Sequence, residues 1–166
     1  MTDTVDTATR SRMMAGIRSR NTQPEILVRK NLHRLGLRFS LNGAVLPGKP
    51  DLVLAKHQAA VFVHGCFWHA HSCREFKLPS SNKLHWHTKL QTNIKRDMRC
   101  VRELNHLGWR VLVIWECAVR LAKKQGSLAP YVTAHDWIVH YDEPYLEIRR
   151  GWKYGFSNRR STARAF

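Results

Sequence analysis

Three residues that can bind a soft metal ion, Cys66, His71 and Cys73, lie within one short segment of the chain. Zinc prefers thiolate and imidazole ligands in a tetrahedral arrangement, so a fourth ligand must come from elsewhere. Cys117 directly follows an apolar segment typical of a buried strand, and it would reach the same sheet edge if that strand lies beside the one preceding Cys66. We therefore expect these four residues to form a structural zinc site, with burial without metal as the alternative. Cys100 falls within a predicted helix, and we interpret it as a packing residue.

A single acidic residue, Asp51, stands between Glu25 and Glu75. Phosphodiester hydrolysis needs a hard cation, and magnesium binds to one or two carboxylates together with water and substrate oxygens. His64 ends the strand predicted to pair with the one that begins at Asp51, and His69 follows it closely. A neutral imidazole at either position could take a proton from an attacking water. The pattern favours a catalytic site, whereas a turn-capping aspartate and solvated histidines are the alternative.

Two large aromatic residues, Phe67 and Trp68, stand between the expected zinc ligands among polar neighbours. Ordinary core packing would explain them. In a basic protein, an aromatic pair on a rigid loop could equally insert between base pairs and kink a duplex. The residues themselves leave both interpretations open.

The composition indicates a folded protein that binds polyanions. The 166 residues include 28 Lys and Arg against 12 Asp and Glu, a formal charge of +16, while 43% of them are hydrophobic. This apolar content excludes a disordered polycation, and a basic folded surface attracts nucleic acid because each neutralised phosphate releases a counterion. Charge alone would also fit a ribosomal or membrane-surface protein. Since the sequence shows neither a membrane-spanning apolar stretch nor a signal-peptide pattern, we expect a cytoplasmic, nucleoid-associated monomer without a membrane partner.

Periodicity and capping signals predict the elements that position these residues. Thr22 and Glu25 form the pattern of a capping box, and Gly36 ends the helix that they begin. The predicted elements are helices over residues 23–35, 83–107 and 116–124, and strands over residues 38–42, 51–55, 59–64 and 109–115. The segment from there to residue 140 is ambiguous. Because the last strand is continuously apolar, we expect a mixed or parallel sheet with helices on both faces.

We divide the chain into a basic N-terminal arm over residues 1–21, one folded domain over residues 22–140 and a basic, aromatic C-terminal tail over residues 141–166. No internal repeat or linker indicates a second domain. The tail is either a disordered end or a flexible arm whose cations contact phosphates while its rings stack on bases.

Several of these motifs, taken together, resemble the very-short-patch-repair (Vsr) mismatch endonucleases. The resemblance covers roughly residues 9 to 120 and rests on the segments Thr9-Arg10-Ser11 with Met14, Asn21-Thr22 with Glu25, Leu46-Pro47-Gly48-Lys49-Pro50-Asp51, His64-Gly65-Cys66-Phe67-Trp68-His69-Ala70-His71-Ser72-Cys73, Gly108-Trp109-Arg110-Val111 and Trp115-Glu116-Cys117. The ten-residue motif is highly specific. The resemblance implies an α/β, restriction-endonuclease-like fold with a mixed central sheet flanked by helices and a structural zinc site, and it makes residues 22–140 the endonuclease domain.

The resemblance also assigns roles to the site residues. Magnesium would be bound by Asp51 and by the backbone carbonyl of Val63, with Glu25 supporting bound water, while His69 would act as the base and His64 as its companion at the phosphate. The chain departs from the wider nuclease pattern, which places an acid and a lysine around position 63, and from the family, which leads us to expect threonine there. Valine keeps the carbonyl and loses only a side-chain role.

The same resemblance implies a substrate and partners. Zinc would be bound by Cys66, His71, Cys73 and Cys117, and Phe67 and Trp68 would wedge beside the mismatched pair, with Met14 entering from the opposite groove. The implied reaction is hydrolysis of the phosphodiester 5′ to the T of a T:G mismatch, which leaves a 5′-phosphate. Such mismatches arise from deamination of 5-methylcytosine, so a cytosine-5 DNA methyltransferase is the expected functional companion.

Two other functions remain open on the sequence. A restriction or transposon-end endonuclease would use the same aspartate and histidines on fully matched DNA. A zinc-stapled DNA-binding module would have no catalytic activity at all.

Overall fold

The computed structural model describes residues 20–41 and 43–151, together with Asp6 and Thr9. From residue 20 onward its elements, in chain order, are α1 (Gln23–Arg34), β1 (Ser40–Leu41), β2 (Leu52–Leu54), a 3-10 turn (Ala55–His57), β3 (Ala59–His64), α2 (Lys83–His106), β4 (Arg110–Trp115), α3 (Glu116–Gln125), α4 (Ala129–His140) and β5 (Tyr145–Ile148). The predicted helices and the strand that became β3 agree with these bounds to within one or two residues.

The strands form one mixed sheet in the order β1-β2-β3-β4-β5. The first three strands pair antiparallel, whereas β3, β4 and β5 run parallel to one another. In the register of the central pair, His64 lies opposite Trp115. The segments that follow β3 and β4 therefore leave the sheet side by side at the same edge, which confirms the expected neighbourhood of Cys66 and Cys117.

The two faces of the sheet are covered by different helices. Ala59 and Val61 belong with Leu112 and Ile114 to a buried cluster that also contains residues of α1, α3 and α4. The alternating positions of β3 and β4, such as Phe62 and Val113, pack in a second cluster with Leu104 of α2. Because strand side chains alternate between faces, His64 and Trp115 lie on the α2 side. The expected mixed sheet flanked by helices is confirmed.

The structure differs from the sequence prediction at the two ends of the sheet. The strand expected over residues 38–42 is reduced to Ser40–Leu41. The ambiguous segment is the helix α4, which buries Tyr131, Trp137 and Ile138. The strand β5 (Tyr145–Ile148) pairs with β4, so the sheet continues into the segment that we had assigned to the tail. Met14 and residues 152–166 lie outside the described residues.

Among the helices that the structure describes, none is long and apolar enough to cross a membrane.

Candidate functional site

The four expected metal ligands converge at the edge where β3 and β4 end. The ligand atoms of Cys66, His71, Cys73 and Cys117 all lie within 4.8 Å of one another. The His71 Nδ1 atom is 3.6 Å from the Sγ atoms of Cys66 and Cys117. The hydrogen bond from the Cys66 thiol lowers the pKa of Cys117, which favours the thiolate form that binds zinc. Three thiols and one imidazole are a ligand set that suits a closed structural zinc site.

The loop that carries these ligands is built from tight turns. The amide of His69 donates to the carbonyl of Gly65 at 3.3 Å, and the amide of His71 donates to the carbonyl of Cys66 at 3.0 Å. Ala70 between them has a φ of +48°, a left-handed conformation that is uncommon for alanine. This reversal lets His71 point into the cysteine cluster while His69 contacts Asp97 of α2 and the ring of His64.

Asp51 reaches the same edge from the turn that precedes β2. Gly48 in this turn has a φ of +73°, and a Cβ atom there would lie 3.1 Å from the Sγ atom of Cys100 in α2. Only glycine allows this backbone conformation and this close approach without strain. The turn is thereby held against α2, and Asp51 follows it directly.

The carboxylate of Asp51 has little compensation for its charge. Burial raises its pKa to about 6, although the amide of Val63 donates a hydrogen bond to Oδ2 at 2.8 Å. The nearby carboxylate of Glu25 raises the pKa further. A half-buried carboxylate with one hydrogen-bond donor and a second acid nearby favours binding of a cation.

His64 and His69 form a stacked pair beside Asp51. Their rings are 3.7 Å apart and nearly parallel, with an interplanar angle of 6°. Burial and the adjacent His69 lower the pKa of His64 to about 3, so His64 is neutral at physiological pH. The Nδ1 atom of His69 lies 2.5 Å from Oδ2 of Asp97, a residue of α2.

Asp97 is a site residue that the sequence analysis missed. Burial is the largest single influence and would raise its pKa, but the hydrogen bond with His69 and the electrostatic contributions of His69, His64 and Arg96 together lower it. An ionised Asp97 only accepts hydrogen bonds, so Nδ1 of His69 carries the proton and Nε2 has the free lone pair. The sequence contained a signal for this residue, since Asp97 is the only acid between Glu75 and Glu103 in a strongly basic segment.

Glu25 is buried near Asp51, and its oxygens are engaged by its own helix. Oε1 accepts from the hydroxyl of Thr22 at 2.8 Å, and Oε2 accepts from the amide of Asn21 and from Arg29, both at 2.9 Å. The predicted capping box is therefore formed, with the glutamate reaching the amide before the N-cap residue. This network fixes the position of the second carboxylate in the site.

These residues line one cleft of about 940 Å³, whose wall carries both carboxylates and cations. Asp51, Val63, His64, His69 and Asp97 all contribute to its wall. Its lining also includes the cations Lys49, Arg96 and Arg99. Acid, imidazole and cationic groups around one cleft can bind a phosphodiester, a divalent ion and the water that attacks the phosphorus atom.

The expected aromatic pair belongs to a larger, half-buried cluster beside the cleft. The ring of Phe67 lies 5.1 Å from that of Trp68 and 5.2 Å from that of Trp86 in α2. The ammonium group of Lys89 is 5.8 Å from the ring centres of both Trp68 and Trp86. Trp68 lines the cleft, and Asn93 of α2 donates a hydrogen bond to its carbonyl at 2.8 Å. Trp86 was not predicted, because it falls in a helical segment far from the motif in sequence.

Comparison with known proteins connects this site to one group of enzymes. Residues 2–75 match the family described as DNA mismatch endonuclease Vsr. The chain is 41% identical over 138 residues to the DNA mismatch endonuclease Vsr of Escherichia coli (strain K12), covering 83% of this chain and 88% of that protein. It is 44% identical over 120 residues to the type II nicking enzyme V.NmeAIP of Neisseria meningitidis, covering 72% and 86% of the two chains. It is also 45% identical over 117 residues to the type II nicking enzyme V.XorIIP of Xanthomonas oryzae, covering 70% and 86%.

Proposed function

The chain belongs to the Vsr family of DNA mismatch endonucleases, and we propose that it hydrolyses the phosphodiester 5′ to the T of a T:G mismatch. Family membership makes it a mismatch-specific nicking endonuclease. The observation that carries the chemical proposal is the convergence of Asp51, His64, His69 and Asp97 on one cleft. We also propose that the mixed sheet and its helices adopt the restriction-endonuclease-like fold that the family resemblance implies.

We assign a divalent-ion site to Asp51. Its carboxylate, with a pKa of about 6 and one hydrogen-bond donor, fits a hard cation such as Mg²⁺, which prefers oxygen ligands. The carbonyl of Val63 would be the second protein ligand, and Glu25, which lines the same cleft, would support bound water. When bound, Mg²⁺ polarises the phosphate and offsets the charge that develops on it. The hydrogen bond from Val63 holds the carboxylate in place for this role.

His69 is the general base of the proposed reaction. Its Nδ1–H is held by Asp97, which leaves the lone pair of Nε2 available for a proton from the attacking water. The carboxylate of Asp97 offsets the positive charge that His69 then acquires. The water oxygen forms the new bond to phosphorus, the bond from phosphorus to the 3′ oxygen breaks, that oxygen takes up a proton from solvent, and the 5′-phosphate stays on the T.

His64 is the neutral partner at the phosphate. Its pKa of about 3 excludes an imidazolium at physiological pH, so His64 acts as a hydrogen-bonding and packing group. Stacked 3.7 Å from His69, it fixes the orientation of the base.

We propose that Phe67 and Trp68 insert beside the mismatched pair, and that Trp86 joins them because its ring packs against both. Met14, which lies outside the described residues, would enter from the opposite groove. The protein would act as a monomer on double-stranded DNA, with the N-terminal arm before residue 22 and the basic tail as additional contacts. The expected functional companion is a cytosine-5 DNA methyltransferase, whose product deaminates to give the T:G substrate.

The activity is tested by a nicking assay on duplexes that differ in one base pair. We expect one cut 5′ to T in the T:G duplex, little cleavage of the matched duplex, and no cleavage after chelation with a return of activity on addition of Mg²⁺. Equal cleavage of the matched duplex would favour a restriction or transposon-end enzyme. Tight DNA binding without any cleavage would favour the non-catalytic binding module.

The zinc site is tested with two cysteine variants. Cys73→Ser removes a ligand from the cluster, so we expect loss of bound zinc and of much of the folded protein, because the metal holds a loop with little core of its own. Cys100→Ser is the matched control, since Cys100 packs under Gly48 away from the cluster, and this variant should keep its zinc. A Cys73→Ser protein that stays folded and active without zinc would contradict the structural role.

A further inference from the structure

Trp115, the last residue of β4, contacts both the metal-binding cluster and the histidine pair. One ring contact is with His71 of the cluster, stacked at 4.0 Å with an interplanar angle of 11°. The ring of His64 lies 5.4 Å away and that of His69 6.2 Å away, both edge to face. The indole is buried, with 7% of its surface exposed. One rigid side chain thus separates the expected zinc ligands from the proposed base.

The orientation of this indole is fixed from the other side by β5. The Nε1–H of Trp115 donates to Oε2 of Glu147 at 3.2 Å. The hydroxyl of Tyr145 donates to Oε1 of the same carboxylate. Both oxygens of Glu147 are therefore engaged, and the hydrogen bond sets the rotation of the indole about its side-chain bonds.

We propose that Trp115, held by Glu147, is a positioning residue that sets the His64–His69 pair relative to the zinc cluster. It contacts neither the phosphate nor the water, so its contribution is to the geometry of His69. Only the predicted effect of Trp115 on cleavage rests on the proposed function. Its effect on the histidine rings can be measured without any reaction.

The magnitude follows from how strongly general-base catalysis depends on position. A misplacement of about 1 Å can cost about a hundredfold in rate, so a base that loses a packing partner should slow the reaction by about ten- to a hundredfold. Replacing the indole by leucine removes three ring contacts and one hydrogen bond at once. The binding surface for DNA, formed by the cleft cations and the aromatic cluster, is left intact.

The first test compares Trp115→Leu with Trp109→Leu, a tryptophan just before the other end of the same strand. For Trp115→Leu we expect a single-turnover nicking rate that falls by about ten- to a hundredfold, with a DNA dissociation constant within about threefold of wild type. Zinc content should be unchanged. For Trp109→Leu, the nicking rate should stay close to that of wild type. Wild-type nicking by Trp115→Leu would overturn the proposal.

The second test measures the imidazole nitrogens of the histidines by NMR. Substituting Cd²⁺ for zinc should shift the signals of His64 and His69 in the wild-type protein and shift them much less in Trp115→Leu. The exposed His33 and His140 serve as internal controls, and their signals should stay constant. Equal Cd²⁺-induced shifts in both proteins would overturn the role of Trp115 as the connection. If the wild-type protein fails to nick T:G duplexes, the proposed function fails while this measurement still decides the role of Trp115.

Two milder substitutions decide the matter if Trp115→Leu does not fold. Trp115→Phe and Glu147→Leu each remove the same hydrogen bond and leave a ring beside His71. We expect each to slow nicking by about three- to tenfold, with the double variant no slower than the worse single variant, because both changes break one interaction. Glu147→Gln keeps an acceptor oxygen and should retain most of the rate. Unaffected rates in both single variants, or fully additive losses in the double variant, would overturn the proposal.

Discussion

The two ends of the parallel strands β3 and β4 differ in how far the fold compensates a charge that is partly or fully removed from solvent. At the amino end, the guanidinium of Arg110 donates to the carbonyls of Tyr141, His57 and Ile138 at 2.9 Å and to that of Trp137 at 3.3 Å. Its charge also lies 4.6 Å from the ring centre of Trp137. This cation closes the C-terminal end of α4, where carbonyls and the helix dipole favour positive charge.

At the carboxyl end, Asp51 has one backbone donor, a nearby glutamate and a pKa raised to about 6. A buried charge whose hydrogen-bond partners are all present contributes to the stability of the fold. A charge that the fold leaves partly uncompensated keeps its affinity for an ion that arrives with the substrate. The comparison therefore separates a structural from a functional buried charge, and each can be removed.

The largest effect is expected from removal of Asp51. Asp51→Ala loses the carboxylate proposed to bind Mg²⁺, and metal-ion catalysis contributes several kcal/mol, so the nicking rate should fall by about a thousandfold or more. Binding to a T:G duplex should persist, because the cleft cations and the aromatic cluster remain. Gel-shift and nicking assays on the same preparation check both statements. Unchanged cleavage would remove the proposed ion site.

Removal of Arg110 should affect stability and not catalysis. Arg110→Met leaves several buried carbonyls without a donor, and we expect a loss of about 3–5 kcal/mol in the free energy of unfolding. Denaturant titration measures this loss, with Arg102→Met, at an exposed position of α2, as the control near zero. The nicking rate per folded molecule should match that of wild type. A stable Arg110→Met protein would show that the two ends of the sheet are less different than their contacts indicate.

The third effect concerns the partner of the base. Asp97→Asn keeps the shape of the side chain but removes the charge that offsets a protonated His69, so the nicking rate should fall by about ten- to a hundredfold. Asp136→Asn is the matched control, since Asp136 lies 3.8 Å from His140 in a second, surface His–Asp pair. A rate in Asp97→Asn equal to that of the control would exclude Asp97 from the mechanism.

Much of this site was predictable because its residues are close in sequence or follow strongly patterned strands. The expected zinc ligands Cys66, His71 and Cys73 lie on one loop, and the continuous apolar run before Cys117 predicted a central strand. Thr22 and Glu25 identified the start of α1 through capping chemistry that is purely local. Local signals of this kind survive folding because tertiary contacts reinforce them.

The rest depended on contacts that the sequence does not encode locally. Asp97 and Trp86 sit on a long helix whose rotation toward the loop is set by packing against β4, so neither could be assigned a partner beforehand. The strand β5 is only four residues long and carries the charged Glu147 within it. Its sequence therefore lacks the apolar pattern that would predict pairing with β4. That glutamate accepts a hydrogen bond from the indole of Trp115, a contact across 32 positions of the chain.

The smallest effect, and the sharpest for the comparison, is the dependence of stability on pH. The pKa of Asp51 rises from 3.8 to about 6 on folding, so the folded protein binds a proton more tightly than the unfolded chain between these values. Ionisation of Asp51 therefore destabilises the fold as pH rises through this interval, and the penalty persists above pH 6. Without divalent ions, Asp51→Asn should be more stable than wild type at pH 8, by about 1–2 kcal/mol, and equally stable at pH 3 to 4.

Added Mg²⁺ should stabilise the wild-type protein at pH 8 and leave Asp51→Asn unaffected, because that variant lacks the charged ligand proposed to bind the ion directly. Asp136→Asn should show neither effect, since that carboxylate does not line the cleft. Thermal unfolding at the two pH values, with and without Mg²⁺, gives all the comparisons. If Asp51→Asn were the less stable protein at pH 8 without metal, Asp51 would be a compensated charge like Arg110. The distinction between the two ends of the sheet would then be lost.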